Sequence, residues 1–399
     1  MFKAFFSALL TAAALLISLS LTAEEGINIV VEGKTNPTLR FRWNGGPAEN
    51  AAALEGFLKA CGWFDVIKGD DAFYELAGRC DGSRTVVELT CGGAPLGAWQ
   101  VAIAEPRPAA KTLVDAILKK LFNIEGVCRT KIAFCADVAD GIKEIYTCDI
   151  DGGEVTQVTH FNTLCVEPCW FPGGNSIGYT KYGKGLTQII ETRFSPRVES
   201  RVLTSFAGLN TGVAISPDTS KMVMILSPDH LVDLYVRAVN GGKLLRLTKN
   251  GRAVEASPCW SPDGKQICYV SDERGGGPRI YAVGADGSGR RLLPSVGRET
   301  VTPDWSGDNK IVYCTRVGGD YTMAVLDLAT GKNYRATDVK GTWESPAWGP
   351  DNRQVVCKRS DGARASLFIV DTWTGGARQL LATKNHLSMP AWSGVQVRK

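Results

Sequence analysis

Gly174-Asn175-Ser176-Ile177-Gly178 spells GxSxG, the pattern in which a strand-to-helix turn lifts a nucleophilic serine above a parallel sheet. The chemistry would be acyl transfer, and it needs a histidine base within hydrogen-bond reach. The chain of 399 residues has three histidines, His160, His230 and His386, scattered along its length and read as surface-loop residues. The five residues also fall in register with Gly264-Lys265-Gln266-Ile267-Cys268, a turn that runs into a strand. An ordinary turn is therefore the better reading of GxSxG. No P-loop, dinucleotide fingerprint or HExxH occurs, and the 12 cysteines lack the paired CxxC units of a structural zinc site.

Four carboxylates are more suggestive. Glu167, Glu255, Glu299 and Glu344 precede Trp170, Trp260, Trp305 and Trp348 by three to six residues. If those segments repeat by rotation, the four stand at similar heights around one mouth. Two readings compete there: a solvated rim, or a shared rim that binds a partner or a cation.

The elements that must position these residues repeat visibly. EPCWFPGG, VAISPDTS, SPCWSPDG, TPDWSGDN, SPAWGPDN and MPAWSG carry the anchors Trp170, Ile215, Trp260, Trp305, Trp348 and Trp392, spaced by 45, 45, 45, 43 and 44 residues. A fixed period of this size marks a stacked or radial repeat. After each anchor come a turn, an apolar strand such as KQICYVSD or NKIVYCTR, a polar loop, a second strand, a Gly-containing turn and a third strand. Short strands evenly spaced by turns predict an all-β radial array. Trp392 lies seven residues from the C-terminus, and the strand it should feed, KIAFCADV, begins at Lys131. The first and last segments thus share one blade, and six blades close into a ring.

The phrase SPDG is structural in this scheme. Ser261 suits the first position of a β-turn, Pro262 presets φ at the second, and Asp263 and Gly264 complete it. The tryptophan before it is large and flat enough to wedge between neighbouring sheets.

Ahead of the ring, residues 24–126 read as a small α/β domain. INIVV at 27–31 reads as a strand. Leu54, Phe57, Leu58 and Cys61 recur at helical spacing, as do Val114, Ile117, Leu118 and Leu121, in a helix expected to stop near Gly126. Strands are expected at Trp63–Ile67, Thr85–Leu89 and Trp99–Ile103. Residues 1–23, with Lys3 followed by an apolar and small-residue run, have the layout of a cleaved secretory signal; an uncleaved anchor is the competing reading. The ring occupies 127–399. No other run approaches membrane-spanning length, so a soluble, exported, monomeric protein peripheral to membranes is expected.

The formal charge of +4 is small for this length and the basic residues are dispersed, so no nucleic-acid footprint appears. Cys135, Cys268, Cys314 and Cys357 fall in corresponding apolar strands and read as small buried side chains. Cys80 with Cys91, in neighbouring strands of a possible hairpin, and Cys165 with Cys169, are the disulfide candidates for an exported protein.

The whole pattern resembles the TolB family, the exported components of the Tol–Pal envelope system. The resemblance rests on INIVVEG, on FRWNGG at Phe41, on IEGVCRTKIAFCA at 124–136, on the WSPDG repeats and on the closing MPAWS. The chain departs from the family pattern in its shortness between Ile67 and Glu75, its many cysteines and its degenerate second repeat. The resemblance implies a six-bladed propeller behind a small α/β domain, and a binding protein, not an enzyme. It implies a Pal-like lipoprotein of the OmpA family on the propeller and a TolA-like inner-membrane protein on the mature N-terminus. The lipoprotein face would include Leu209, Asn210, Gly212, Arg252, Glu255, Pro294, Arg298, Glu299, Trp343, Glu344 and His386. The N-terminal contact would include Glu24, Glu25, Ile27, Ile29 and Val31. No cofactor is expected, and a cation in the central channel stays open. The alternative is a carbohydrate- or wall-binding propeller, for which Trp343 is the aromatic candidate; a propeller lyase or peptidase relative is less favoured, lacking histidines or a hydrolase-sized span.

Overall fold

The computed structural model describes residues 34–394 except Asn250, Arg252 and Ala363. The expected strand at 27–31, the signal segment, the N-terminal contact residues Glu24 to Val31 and Arg252 lie outside the described residues.

The first unit comprises β1 (Thr38–Trp43), α1 (Ala48–Ala60), β2 (Asp65–Ile67), β3 (Tyr74–Asp81), β4 (Arg84–Cys91), β5 (Ala94–Ala102) and α2 (Pro106–Phe122). The sheet order is β2-β1-β3-β4-β5, with β1 parallel to both its neighbours and the rest antiparallel. Of the helical spacings read from the sequence, Leu54, Phe57 and Leu58 on α1 and Val114, Ile117 and Leu118 on α2 are at most 1% exposed; Leu121 is half-buried, and Leu113 joins the buried stripe instead. Strand β1 was not expected, and β3 was expected only as the hairpin neighbour of the strand that carries Cys91, to which it does pair. In β1 Leu39, Phe41 and Trp43 form the apolar face, while Arg40 lies on the polar phase yet is buried, its guanidinium held by Asp70 and Glu75.

α2 stops before Gly126. Asn123 takes the left-handed conformation (φ 54°), its N–H bonded to the Lys119 carbonyl at 3.1 Å. Gly126 permits a close approach instead, since a Cβ there would lie 2.1 Å from Asp115 Oδ1. Asp115 in turn accepts from Cys128 N at 2.9 Å and Arg129 Nε at 2.9 Å, which fixes the chain leaving the first unit.

The second unit is a six-bladed propeller, each blade a four-stranded antiparallel sheet. The innermost strands are Cys165–Trp170, Asn210–Ile215, Glu255–Trp260, Thr300–Trp305, Thr342–Trp348 and Leu387–Trp392, which number the blades one to six. Blade six pairs Leu387–Trp392 with Lys131–Ala139, Trp392 opposite Ile132, so strand pairing between the two ends of the chain closes the ring as expected. The anchors are wedges. The indole of Trp260 donates to Ala214 O (3.0 Å), that of Trp348 to Asp304 O (3.1 Å) and that of Trp170 to Ala391 O (3.1 Å), each on the preceding blade.

The cysteine expectations divide. Cys135, Cys268, Cys314 and Cys357 are buried in second strands. Both disulfide candidates are wrong. Cys80 faces Thr85 while Cys91 faces Tyr74, so the two stand six ladder positions apart, about 20 Å at strand rise. Cys165 and Cys169 share one strand about 13 Å apart. A disulfide needs Cα atoms within about 7 Å.

Candidate partner-binding faces of the propeller

Antiparallel blades divide their connections between two faces. Turns from first to second and from third to fourth strands lie on one face. Loops from second to third strands, and the connectors into the next blade, lie on the other.

The turn face is occupied by the α/β unit at blades five and six. Trp63 Nε1 donates to Asp351 Oδ2 (3.1 Å) and Gln354 Nε2 to Cys61 O (2.7 Å). Arg353, bound to Asn36 and Asp371, lies 4.5 Å from the Trp63 ring and 4.8 Å from the Trp373 ring. At blade six, buried Asp149 gathers Arg107 (2.8 Å), Lys111 (2.5 Å) and Lys131 (2.6 Å), the first two from α2. Burial opposes ionisation of Asp149, but the three cations prevail and hold its carboxyl below the usual carboxylate range. One apolar core runs through the joint, from Phe57 and Leu118 to Ile150, Val356 and Leu380.

The channel opens on the same face as a cavity of about 640 Å³, ringed by Pro168, Pro258, Pro303, Pro346 and Pro390. Each inner strand shifts register three residues before its anchor position, and the residue there has positive φ: Glu167 (56°), Gly212 (60°), Ser257 (48°), Thr302 (48°), Ser345 (51°) and Met389 (50°). Five of the six are not glycine, so each bulge holds a conformation that an L-residue adopts at a cost of about 1–2 kcal/mol. Asp304 lines the channel, accepts Trp348 N at 2.7 Å, and is pushed up to about 6 by burial.

The bulges overturn the ring of carboxylates. Glu167 sits in a bulge, Glu344 one residue before one, Glu255 two before and Glu299 three before, so side chains that alternate along a strand point to different places. Glu167 accepts from Thr180 Oγ1 (3.0 Å), Gly212 N (3.0 Å) and Thr211 Oγ1, fastening blade one to blade two. Glu255 is 1% exposed. Glu299 and Glu344 are half-buried, as Glu167 is, but pair with the loop cations Arg316 (3.5 Å) and Lys358 (2.5 Å).

The other face-forming candidates divide in the same way. Pro294, Arg298 and His386 are exposed, and Leu209 and Gly212 are half-buried. Asn210 is buried and caps its own loop, accepting Phe206 N (2.9 Å) and donating to Phe206 O (2.8 Å). Trp343 is 1% exposed, its indole donating to Val339 O (2.9 Å) and its ring edge-on to Phe368. It is no open platform for a sugar. The sequence reading missed Arg316, Tyr321, Lys358 and Arg359, which stand in or beside the second-to-third loops next to the connectors. Tyr321 donates to Glu299 at 3.0 Å, and Arg359 reaches Lys340 O at 2.8 Å. The charge of these loops was the available signal.

No catalytic arrangement accompanies GxSxG: Ser176 is buried, opens the second strand of blade one and pairs with Arg193. No cluster of three or more His, Cys, Asp or Glu that could hold a metal ion occurs among the described residues.

The TolB beta propeller domain family matches residues 118–396. This chain belongs to the TolB family. It is 29% identical over 331 residues to the Tol-Pal system protein TolB of Bordetella pertussis, covering 82% of this chain and 73% of that one; the Bordetella bronchiseptica protein of the same name matches at 29%, covering 82% and 72%. The crystal structure of TolB from Acinetobacter baumannii shares the fold at TM-score 0.80 and 22% identity, over 92% of this chain and 99% of that one. The kinship is with non-enzymatic Tol-Pal components. Among the described residues no helix is long and apolar enough to cross a membrane.

Proposed function

We propose that this TolB-family chain is a periplasmic scaffold. On this reading residues 1–23 are a cleaved export signal, 24–126 the α/β domain and 127–399 the propeller. The connector face takes a Pal-like lipoprotein of the OmpA family, and the mature N-terminal peptide, Glu24 to Gly33, takes a TolA-like inner-membrane protein. The linkage would support outer-membrane integrity and envelope constriction at division, with the protein monomeric.

The observation that carries the reading is the division of faces. The α/β unit covers the turn face at blades five and six, which leaves the connector face open with Pro294, Arg298, Glu299, Glu344 and His386 on it. A rigid, charged rim suits a folded protein partner, and an extended terminal peptide suits a second one. The peptide would leave from the joint itself: Lys34 N donates to Trp373 O (3.0 Å) and its ammonium lies 4.6 Å from the Trp373 ring. Occupancy of the peptide and of the rim would then be coupled through the joint.

The test is calorimetric titration of the mature chain with the soluble domain of an OmpA-like lipoprotein from the same host. Arg298→Glu with Glu299→Lys should weaken binding about tenfold or more by placing like charges across the interface. Unchanged affinity would remove the connector face as the site. Deleting residues 24–33 should shift the dissociation constant, and an unchanged value would remove the coupling.

A further inference from the structure

Cys259 and Cys268 are the two cysteines that the fold places directly opposite each other. Cys259 is on the innermost strand of blade three and Cys268 on the second, and they are register partners. The backbone bond Ser261 N to Gln266 O (2.9 Å) fixes the phase of this ladder, so two residues back the pair is again a hydrogen-bonded one, with Cα atoms about 5.5 Å apart. That falls at the commonest separation of natural disulfides, roughly 5.5–6 Å. Both side chains lie on one side of the sheet, in the same apolar cluster beneath Trp305. Cys259 also lines the channel mouth, from which a small oxidant can approach. Other cysteines share apolar clusters, such as Cys314 with Cys357 and Cys135 with Cys165, but these sit on different blades, with no ladder to set their backbones opposite.

We propose that Cys259 and Cys268 form a cross-strand disulfide that is a redox site of this protein, tying the channel-lining strand of blade three to its neighbour. The proposal takes its oxidant, a small-molecule or protein disulfide, from the exported location argued above, whereas its test does not depend on that location. The thiolate of one cysteine attacks the oxidant disulfide, forming a mixed disulfide and expelling one thiolate. The second cysteine attacks the protein sulfur of the mixed disulfide, the Sγ–Sγ bond forms and the other oxidant thiolate leaves. The two cysteine protons end on the two released thiols, which carry the two electrons. The Cys268 thiol and burial push the Cys259 thiol well above its ordinary range. Few thiolates exist in the closed blade, so exchange proceeds during folding or local opening, and the closed blade then shelters the finished bond from reductants.

The full chain, reduced and folded, is held in a mixture of reduced and oxidised glutathione until its thiol content is constant, with and without sub-denaturing urea. It is then quenched in acid, alkylated in denaturant and digested. Lys265 lies between the two cysteines, so trypsin separates them and a disulfide appears as two joined peptides that part on reduction. The expected result is the peptide ending at Lys265 joined to the peptide beginning at Gln266, in most molecules, with loss of the joined species in Cys268→Ala. Alkylation of both cysteines before reduction under both conditions overturns the proposal. So does glutathione retained on Cys259 with Cys268 free.

Discussion

The two faces of the propeller solve different problems with the same strands. On the turn face each first turn is short, three of the six inner strands end on an indole that bonds to the previous blade, and the α/β unit is bolted across two blades by buried ions. On the connector face the loops differ in length, charge and burial. The difference follows from what each connection must do. A turn that closes adjacent strands has few conformations open to it, whereas a connector between blades must only span a gap and can vary for function.

The largest effect should come from the wedges. Trp348→Ala should lower stability by about 3–5 kcal/mol in urea unfolding, because it empties a site between two blades and orphans the Asp304 carbonyl. Ile215→Ala, at the one anchor with no indole to donate, should cost about 2–4 kcal/mol; an equal loss at both would show that the indole hydrogen bond adds nothing. Next, Glu255→Lys should destabilise by about 3 kcal/mol or more, since it reverses the charge of a side chain only 1% exposed. Glu299→Lys, on the same face but only half-buried, should change stability by less than about 1 kcal/mol and act on partner affinity alone. Equal melting behaviour of the two variants would break the distinction between buried and rim carboxylates.

A smaller effect is a pH slope on the turn face. Asp304 titrates near 6 when folded, above the ordinary 3.8, so the folded chain holds this proton more tightly than the unfolded one. Stability from this residue is therefore full below about pH 4, falls by about 2–3 kcal/mol as pH rises to 6, and stays lower above that. Asp304→Asn should flatten that part of the stability profile. The smallest effect is expected at the joint. Arg107→Ala leaves Asp149 with Lys111 and Lys131, so about 1–2 kcal/mol should be lost, together with faster hydrogen exchange in α2. Protection of α2 unchanged from the parent would show that the shared apolar core alone holds the joint.

Periodicity carried most of the fold. The spacing of the anchors gave six blades and the closing of blade six by both ends of the chain, and the helical spacing of Leu54, Phe57 and Leu58 gave α1. Strands β1 and β3 do alternate, as TLRFRW and YELAGRCD, but they are short of apolar side chains: Gly78 fills a buried position with none, and the burial of Arg40 becomes legible only beside Asp70 and Glu75. The candidate rim was legible in outline, since the loops before the anchors do form the connector face. Its membership was not. Counting back from a tryptophan takes no account of the bulge, which turns Glu255, Asn210 and Trp343 inward and leaves Glu299 and Arg298 outward.

The sequence by itself determined what is local and repeated: the turns, the wedges, the number of blades and the family. Those follow from short-range sterics and hydrophobic spacing written into each repeat. Tertiary structure alone decided which carboxylates reach solvent, which face the α/β unit covers, and that Cys259 meets Cys268 while Cys80 and Cys91 stand far apart. These depend on ladder register and on contacts between residues hundreds of positions apart, and a one-residue shift in register reverses the direction of every side chain.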